Sequence, residues 1–537
     1  MRVLTEADAA FLNGRLYTFD ANNTIVEAIA VRDERVLAIG KTEEIRPLIG
    51  SKTKVFDLKG KSAIPGFHDA HCHILFFGLG LLQIDLCGTK SISEIVRAVE
   101  ERIRTTPPGK WVIAWGYNDN KLVEKRHPTR DDLDPISPEH PVLLNHISGH
   151  MGVVNSRALN LAGITRETED PAGGRIGREE SGQPSGVLME AAMALVKGPQ
   201  YTVEDMKKAL GAANKHLLSE GITSVQDAHA GLTAPHEFRA YQDAVEEGLV
   251  KVRVALLPDI DSFPVASGRF DFGWGLHTGF GSTRLRLGPA KIFVDGSLIG
   301  CTAALSQPYS SDPRNRGFLV KTKEQIFEQV RMAHEAGWQV ALHAIGDRAI
   351  EAALDAIENA MGEKAEEYRP RIEHCGVLRA DLLERIRRLG VAIVTQPRFI
   401  HELGDGFRVA LGEERLKLTY PLASLRSTRV AFSSDRPVVN GSPLRGVQAA
   451  VCRRTQTGAD YVPEERITAE EAIRWYTSGS AYAVFEEQYK GTLEAGKLVD
   501  FVVLSKDPFE VEPDRLGEIE VELTVIGGEV VYERQCR

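Results

Sequence analysis

The 537-residue sequence is sparing with several things. It has six cysteines, at positions 72, 87, 301, 375, 452 and 536, without regular spacing. A disulfide framework is therefore not expected, and a reduced, cytoplasmic setting is. No run of about 18 apolar residues is present to span a bilayer. The opening stretch, MRVLTEADAAFLNGRLYTFD, lacks the long apolar core of a secretory signal. Basic residues are in the minority, 65 Lys and Arg against 75 Asp and Glu, for a formal net charge of −10. That balance argues against a general nucleic-acid binder, while leaving an anionic substrate open, because a site can be locally positive. Internal repeats and low-complexity segments are also missing. What the chain does have is 43% hydrophobic and 26% charged residues, enough for a large core and too much for one small domain.

Both ends of the chain read as short strands. FLNGRLYTF, IVEAIAVRDERVLAIG and KVFDLKGKSAIPG alternate apolar and polar residues around turns, and so do DFVVLSKDP and LTVIGGEVVYE, the last turning at Gly527-Gly528. One β domain assembled from both termini is expected, over residues 1–64 and 490–537. The middle changes rhythm. AIPGFHDAH, ITSVQDAH, VRVALLPD, AKIFVDGS, QVALHAIG, RIEHC, VAIVTQ and VAFSSD read as eight strands separated by amphipathic helices such as EQIFEQVRMAHEAGW. Capping boxes mark further helix starts at Ser91–Glu94 and Thr468–Glu471. Eight βα units predict an α/β fold, a (β/α)8 TIM-like barrel over residues 65–489. The first connection is far too long for a βα loop and predicts an inserted subdomain, residues 82–200, over the barrel mouth.

In such a barrel the chemistry lies at the C-terminal ends of the strands. The first strand ends within PGFHDAHCHILFFG, residues 65–78, and side chains two apart share a face, so His71 and His73 point together while Cys72 turns away. His343 ends the fifth strand, His374 the sixth and Asp435 the eighth, and Lys291 lies on the fourth. Imidazole and carboxylate are ligands for zinc and similar divalent ions. Each feature alone has an ordinary explanation: a barrel histidine is more often a hydrogen-bonded core residue, and H-x-H is a weak pattern. Their joint placement at strand ends is what points to a metal. Lys291 is costly to bury and reactive once buried. It is open to three readings: a Schiff-base lysine, an ion-pair partner, or a carbamate bridging two metals. Candidate substrate contacts are Tyr117 and Asn118 in WGYND, His150 in SGHMGVVNS, and Asp295, which shares a strand face with Lys291 and Phe293.

PGFHDAHCH, Lys291, LHAIGDRA, IEHC and SSDRP together resemble the amidohydrolase superfamily, in particular the branch related to N-substituted formamide deformylase. GHMGVVNSRAL, KIFVDGSL and the long C-terminal run from ITAEEAIRWY to SKDPF extend the resemblance over nearly the whole chain. It implies a distorted barrel with a composite β-sandwich from the two termini. It also implies a metal-dependent hydrolase of non-peptide C–N bonds, with one or two divalent ions, zinc being the expected metal. His71, His73 and Asp435 would hold one ion and His343 and His374 the other, with Lys291 as a carboxylated bridge. Asp435 would be the catalytic proton shuttle. His68 departs from the usual pattern and is read as support or packing. An esterase, lactonase or deaminase on the same centre, or a non-catalytic scaffold, are the competing readings; a scaffold would have lost ligands, and here every expected position is filled. The expected partner is a small-molecule substrate, with no nucleic acid or membrane, and a homodimer is compatible with the sequence.

Overall fold

The computed structural model describes residues 6–146, 151–171, 174–231, 236–262 and 275–535. The candidate His150 lies outside the described residues. Two compact units divide the chain: Met1–Phe77 with Ala213–Arg537, and Gly78–Ala212. No helix among the described residues is long and apolar enough to cross a membrane.

Among the described residues, nine short strands of the first unit build two wholly parallel sheets: β1 (Phe67–Cys72), β2 (Ile222–Ala230), β3 (Arg253–Pro258), β4 (Leu285–Leu287), β5 (Ala290–Phe293), β6 (Val340–Ala344), β7 (Arg371–His374), β8 (Ala392–Thr395) and β9 (Arg429–Phe432). The sheets are ordered β4-β3-β2-β1 and β5-β6-β7-β8-β9. β4 is additional to the eight strands expected from the sequence. Strands such as β1, β3 and β6 are buried along their whole length, as parallel strands covered on both faces must be. Two seams join the sheets. At one, Asp259 after β3 makes a parallel bridge to Lys291 in β5. At the other, the Asp435 amide donates to the His71 carbonyl (2.7 Å) and the His73 amide to the Arg436 carbonyl (2.9 Å).

The connecting helices follow from sequence periodicity. The helix Lys323–Glu335 buries Ile326, Val330 and Ala333, spaced four and three apart, and starts at a capping box from Thr322 and Gln325. Thr468 and Glu471 form their expected reciprocal box. Ser91 caps the Glu94 amide at 3.2 Å, but the Glu94 carboxylate takes the Lys90 amide instead of that of Ser91.

Strands from the two chain ends interleave. One six-stranded sheet runs Glu529–Glu533, Val521–Ile526, Phe501–Leu504, Ser62–Pro65, Arg15–Tyr17, Ile25–Val26. A four-stranded sheet contains Ala9–Leu12 and Lys54–Asp57 among its strands. Phe11 from the second sheet stacks on Phe56 and meets the edge of Phe501 from the first, at ring centroid distances of 4.7 and 4.9 Å. Gly527 and Gly528 both have positive φ, 58° and 78°, the pair of left-handed residues that a type I′ hairpin turn requires.

The unit Gly78–Ala212 has its own six-stranded sheet, from Gly174–Arg178 at one edge to Ile84–Asp85 at the other. The helix Ile92–Ile103 packs Ile92, Ile95 and Val99 into a core with Val112, Ala114, Val142 and Leu144.

Candidate metal centre

The strand ends of the first unit converge. His71 and His73 stand two apart at the end of β1, with their rings edge-on at 5.5 Å. Cys72 between them turns away, its thiol 3.6 Å from the Gln226 carbonyl of β2. The seam bond from the Asp435 amide to His71 draws the end of β9 alongside. The Asp435 Oδ1 then lies 3.1 Å from His73 Nε2 and 3.4 Å from His71 Nε2. Asp435 sits in the left-handed backbone region, φ 56°, which Asp tolerates better than most residues. Buried Asp69 stabilises this approach by accepting from the Ser434 amide at 2.9 Å and from its hydroxyl. Burial pushes the Asp69 carboxyl up to about 6 in spite of those bonds.

His374 reaches the same point by another route. β6 and β7 pair His343 with Glu373 and Ala344 with His374, so His343 and Glu373 share a sheet face. Strict alternation would send His374 to the opposite face. The backbone instead leaves the strand in the left-handed region, φ 71° at His374 and 51° at Cys375. The His374 ring lies 4.8 Å from the His71 ring and 4.5 Å from that of His343. One ligand atom from each of His71, His374 and Asp435 falls within 4.8 Å of the others. Cys375, buried, has its thiol pushed up to about 12 by burial, leaving it inert.

A buried polar chain sets the orientation of His71. The His71 Nδ1 contacts Glu373 Oε2. Arg371 holds Glu373 with two bonds, 2.5 Å from Nε and 3.0 Å from Nη2, and also donates to the Ala70 carbonyl. Its Nη1 meets Gln226, whose amide nitrogen is 3.0 Å from His68 Nε2. His68 therefore supports the centre at a distance and is not a ligand candidate. A carboxylate accepts, so His71 carries its proton on Nδ1 and its lone pair on Nε2, facing Asp435. The His374 Nδ1 is likewise 2.8 Å from Gln396 Oε1, freeing its Nε2. Burial pushes His71 and His374 well below the ordinary histidine value, assisted by the neighbouring Lys291 charge. His343 is pushed to about 3, again chiefly by burial. All three are neutral imidazoles, the form that binds metal.

Sequence reasoning missed Glu373, Gln226 and Gln396. Their signal was faint: two charged residues, Arg371 and Glu373, in a four-residue buried strand. Replacing Glu373 with Ala leaves Arg371 buried without its counter-charge, so a loss of about 3–5 kcal/mol is expected. The urea midpoint reads this, with the m-value unchanged. A change within about 0.5 kcal/mol would mean that the pair is dispensable.

Lys291 projects from β5 and is 1% exposed. Its Nζ lies 4.9 Å from the Phe293 ring centroid and finds no hydrogen-bond partner among the described residues. Burial lowers its amine to about 8, against the opposing pull of Glu373 and Asp435. His343 stacks on Phe293 at 4.9 Å, with its Nε2 3.2 Å from the Gly296 carbonyl. Asp295 accepts from the amides of Ala304 (2.9 Å), Ile345 (3.0 Å) and Gly346 (2.8 Å). It holds together the loops after β5 and β6, and burial raises its carboxyl to about 7. Tyr117 is buried in the Gly78–Ala212 unit, its hydroxyl 3.1 Å from His127 Nδ1; Asn118 follows it, partly buried.

Known proteins resemble this chain along most of its length. Residues 54–532 match the model of the amidohydrolase family. YtcJ of Bacillus subtilis (strain 168) is 34% identical, over 98% of this chain and 99% of its own. N-substituted formamide deformylase of Arthrobacter pascens is 31% identical, with 98% of each chain covered. The crystal structure of a metal-dependent hydrolase from Pyrococcus furiosus superposes with a TM-score of 0.80 at 33% identity, covering 94% of this chain and all of that one. Over nearly its whole length, then, this chain belongs to the amidohydrolase family.

Proposed function

We propose that the protein is a metal-dependent hydrolase that cleaves a C–N bond outside a peptide backbone, in an amide, a formamide or a cyclic amide. The observation that carries this reading is the convergence of His71, His374 and Asp435 beside the unpartnered Lys291 amine. The names of the Arthrobacter and Pyrococcus relatives support it. The two parallel sheets, joined at both seams, are read as the walls of a distorted (β/α)8 barrel, with the strands from both termini as its composite β-sandwich.

The residues present fit a divalent ion. Neutral imidazoles with fixed lone pairs and one carboxylate form an N/O donor set suited to zinc. His71, His73 and Asp435 would hold one ion, and His343 and His374 a second. A buried amine lowered to about 8 is neutral often enough near neutral pH to combine with CO₂, and carboxylated Lys291 would supply the anion between the two. A bound divalent ion supplies water of lowered pKa and a polarised carbonyl oxygen. Asp435 takes the proton from the attacking water and delivers it to the departing nitrogen. The carboxylate is held for that exchange by the seam bond and by His73. Half-buried Phe293, stacked on His343, and the edge-on ring of His374 limit the water around the reacting groups.

Metal removal tests this reading. Hydrolysis of a panel of formamides, acyl amines and cyclic amides is expected to cease on dialysis against 1,10-phenanthroline and to return with zinc, as judged by product release and metal content. Turnover that survives complete removal of metal would contradict it, and a panel in which only esters or lactones react would reassign the substrate class.

A further inference from the structure

The end of β2 carries a histidine that the metal centre does not use. His229 stands at that end, with its Nε2 against Asp259 Oδ2 at the end of β3. Asp259 is itself fixed: its Oδ1 accepts from the amides of Asp261 (2.6 Å) and Ser262 (3.2 Å), and its backbone bridges to Lys291. An ionised carboxylate can only accept. The Nε2 therefore carries a proton, and in the neutral imidazole Nδ1 then carries the lone pair. Among the described residues no group hydrogen-bonds Nδ1. The ring lies 6.3 Å from that of His73 and 4.8 Å from Phe293, which stacks on His343. The side chain keeps 20% of its surface open, while Asp259 keeps 6%. A fixed, partly open acceptor thus borders the catalytic groups, in a neighbourhood otherwise made of imidazole, carboxylate and phenyl.

We propose that His229, clamped by Asp259, contacts the substrate and accepts a hydrogen bond from the N–H of a secondary amide, so that the site prefers N-monosubstituted to N,N-disubstituted substrates. This rests on the hydrolase reading above and narrows its substrate class. A tertiary amide would present a carbon group to the Nδ1 lone pair and leave that acceptor unpaired. Sites built around a hydrogen bond reject analogues that lack it far more strongly than apolar pockets reject a methyl group.

Formanilide and N-methylformanilide differ at that hydrogen alone. The ratio of their kcat/KM values, secondary over tertiary, is expected to fall about tenfold in His229→Ala, with bound metal unchanged. Asp259→Asn, which keeps the shape and can pair with either ring tautomer, is expected to lower the same ratio. An unchanged ratio in both variants would overturn the proposal and leave a structural bridge between two strand ends. Loss of metal in His229→Ala would also overturn it, by making His229 a ligand. A second readout needs no turnover. In ¹⁵N-histidine-labelled wild type, with His229→Asn to assign the signal, the His229 ring is expected to carry its proton on Nε2; a proton on Nδ1 instead overturns the proposal. Should neither anilide be hydrolysed, the hydrolase reading fails for this substrate class, while the ring spectrum still decides the state of His229.

Discussion

Asp435→Asn, loaded with metal to the wild-type level, is expected to lower kcat/KM by about 10³-fold or more, the upper part of the range for a positioned proton-transfer group. The substitution is nearly isosteric. The seam bond to His71 uses the Asp435 backbone amide and survives it, so the end of β9 stays in place. What is lost is the basicity of the oxygen that lies 3.1 Å from His73 Nε2. A carboxamide cannot hold the proton of the attacking water or pass it to the leaving nitrogen. The loss should fall on kcat, because the substrate's binding contacts are untouched. Steady-state kinetics on enzyme matched for metal by mass spectrometry read the effect. Full turnover with metal still bound would remove Asp435 from the proton-transfer role.

Lys291→Met should separate stability from function. In the metal-free protein the wild-type amine is buried without a hydrogen-bond partner among the described residues, an arrangement that costs about 1–3 kcal/mol. An apolar chain of similar length removes that cost, so the metal-free variant is expected to be at least as stable as metal-free wild type while metal uptake and hydrolysis fall to background. The comparison has a pH signature. Folding lowers the Lys291 pKa from 10.5 to about 8, so between those values the unfolded chain binds a proton that the folded chain does not. Wild-type stability therefore gains on the order of 3 kcal/mol relative to the variant as pH rises from 8 towards 10.5, and the variant's advantage is greatest below pH 8. Denaturant midpoints at pH 7.5 and 10 measure it. Equal pH dependence in the two proteins would mean that Lys291 is solvated or paired, and a variant that keeps metal and turnover would dismiss the lysine as a ligand.

The site was legible where one strand carries it. H-x-H on β1 needs only the two-residue period, and His71 and His73 fall together with Cys72 turned away. Asp435 was legible as a polar residue ending a buried strand. His374 was named from its strand-end position, but its route was hidden: alternation alone points it away, and a left-handed residue brings it back. Glu373, Gln226 and Gln396 were out of reach because their partners are distant in sequence; the Glu373–His71 contact spans 302 residues, and β1 and β7 belong to different sheets. In the fold, the Gly527-Gly528 hairpin was readable from turn chemistry. The pairing of Ser62–Pro65 with Phe501–Leu504 is tertiary and leaves no local mark beyond two apolar runs. The extra strand Leu285–Leu287 is three residues long, too short for a period to show. His229 had the same cue as the other strand-end histidines, yet without a neighbour in sequence its tie to Asp259 could not be seen.

The claim on which the rest depends is that divalent cations bind where these strand ends converge, one of them held by His71, His73 and Asp435. Anomalous diffraction from crystals of the zinc-loaded protein, collected on either side of the zinc absorption edge, tests it most directly. The expected map has a peak about 2 Å from a ring nitrogen of each of His71 and His73 and from the Asp435 carboxylate, with any second peak beside His343 and His374. A map with no peak there, or with its only peak elsewhere in the chain, would contradict the metal-dependent reading.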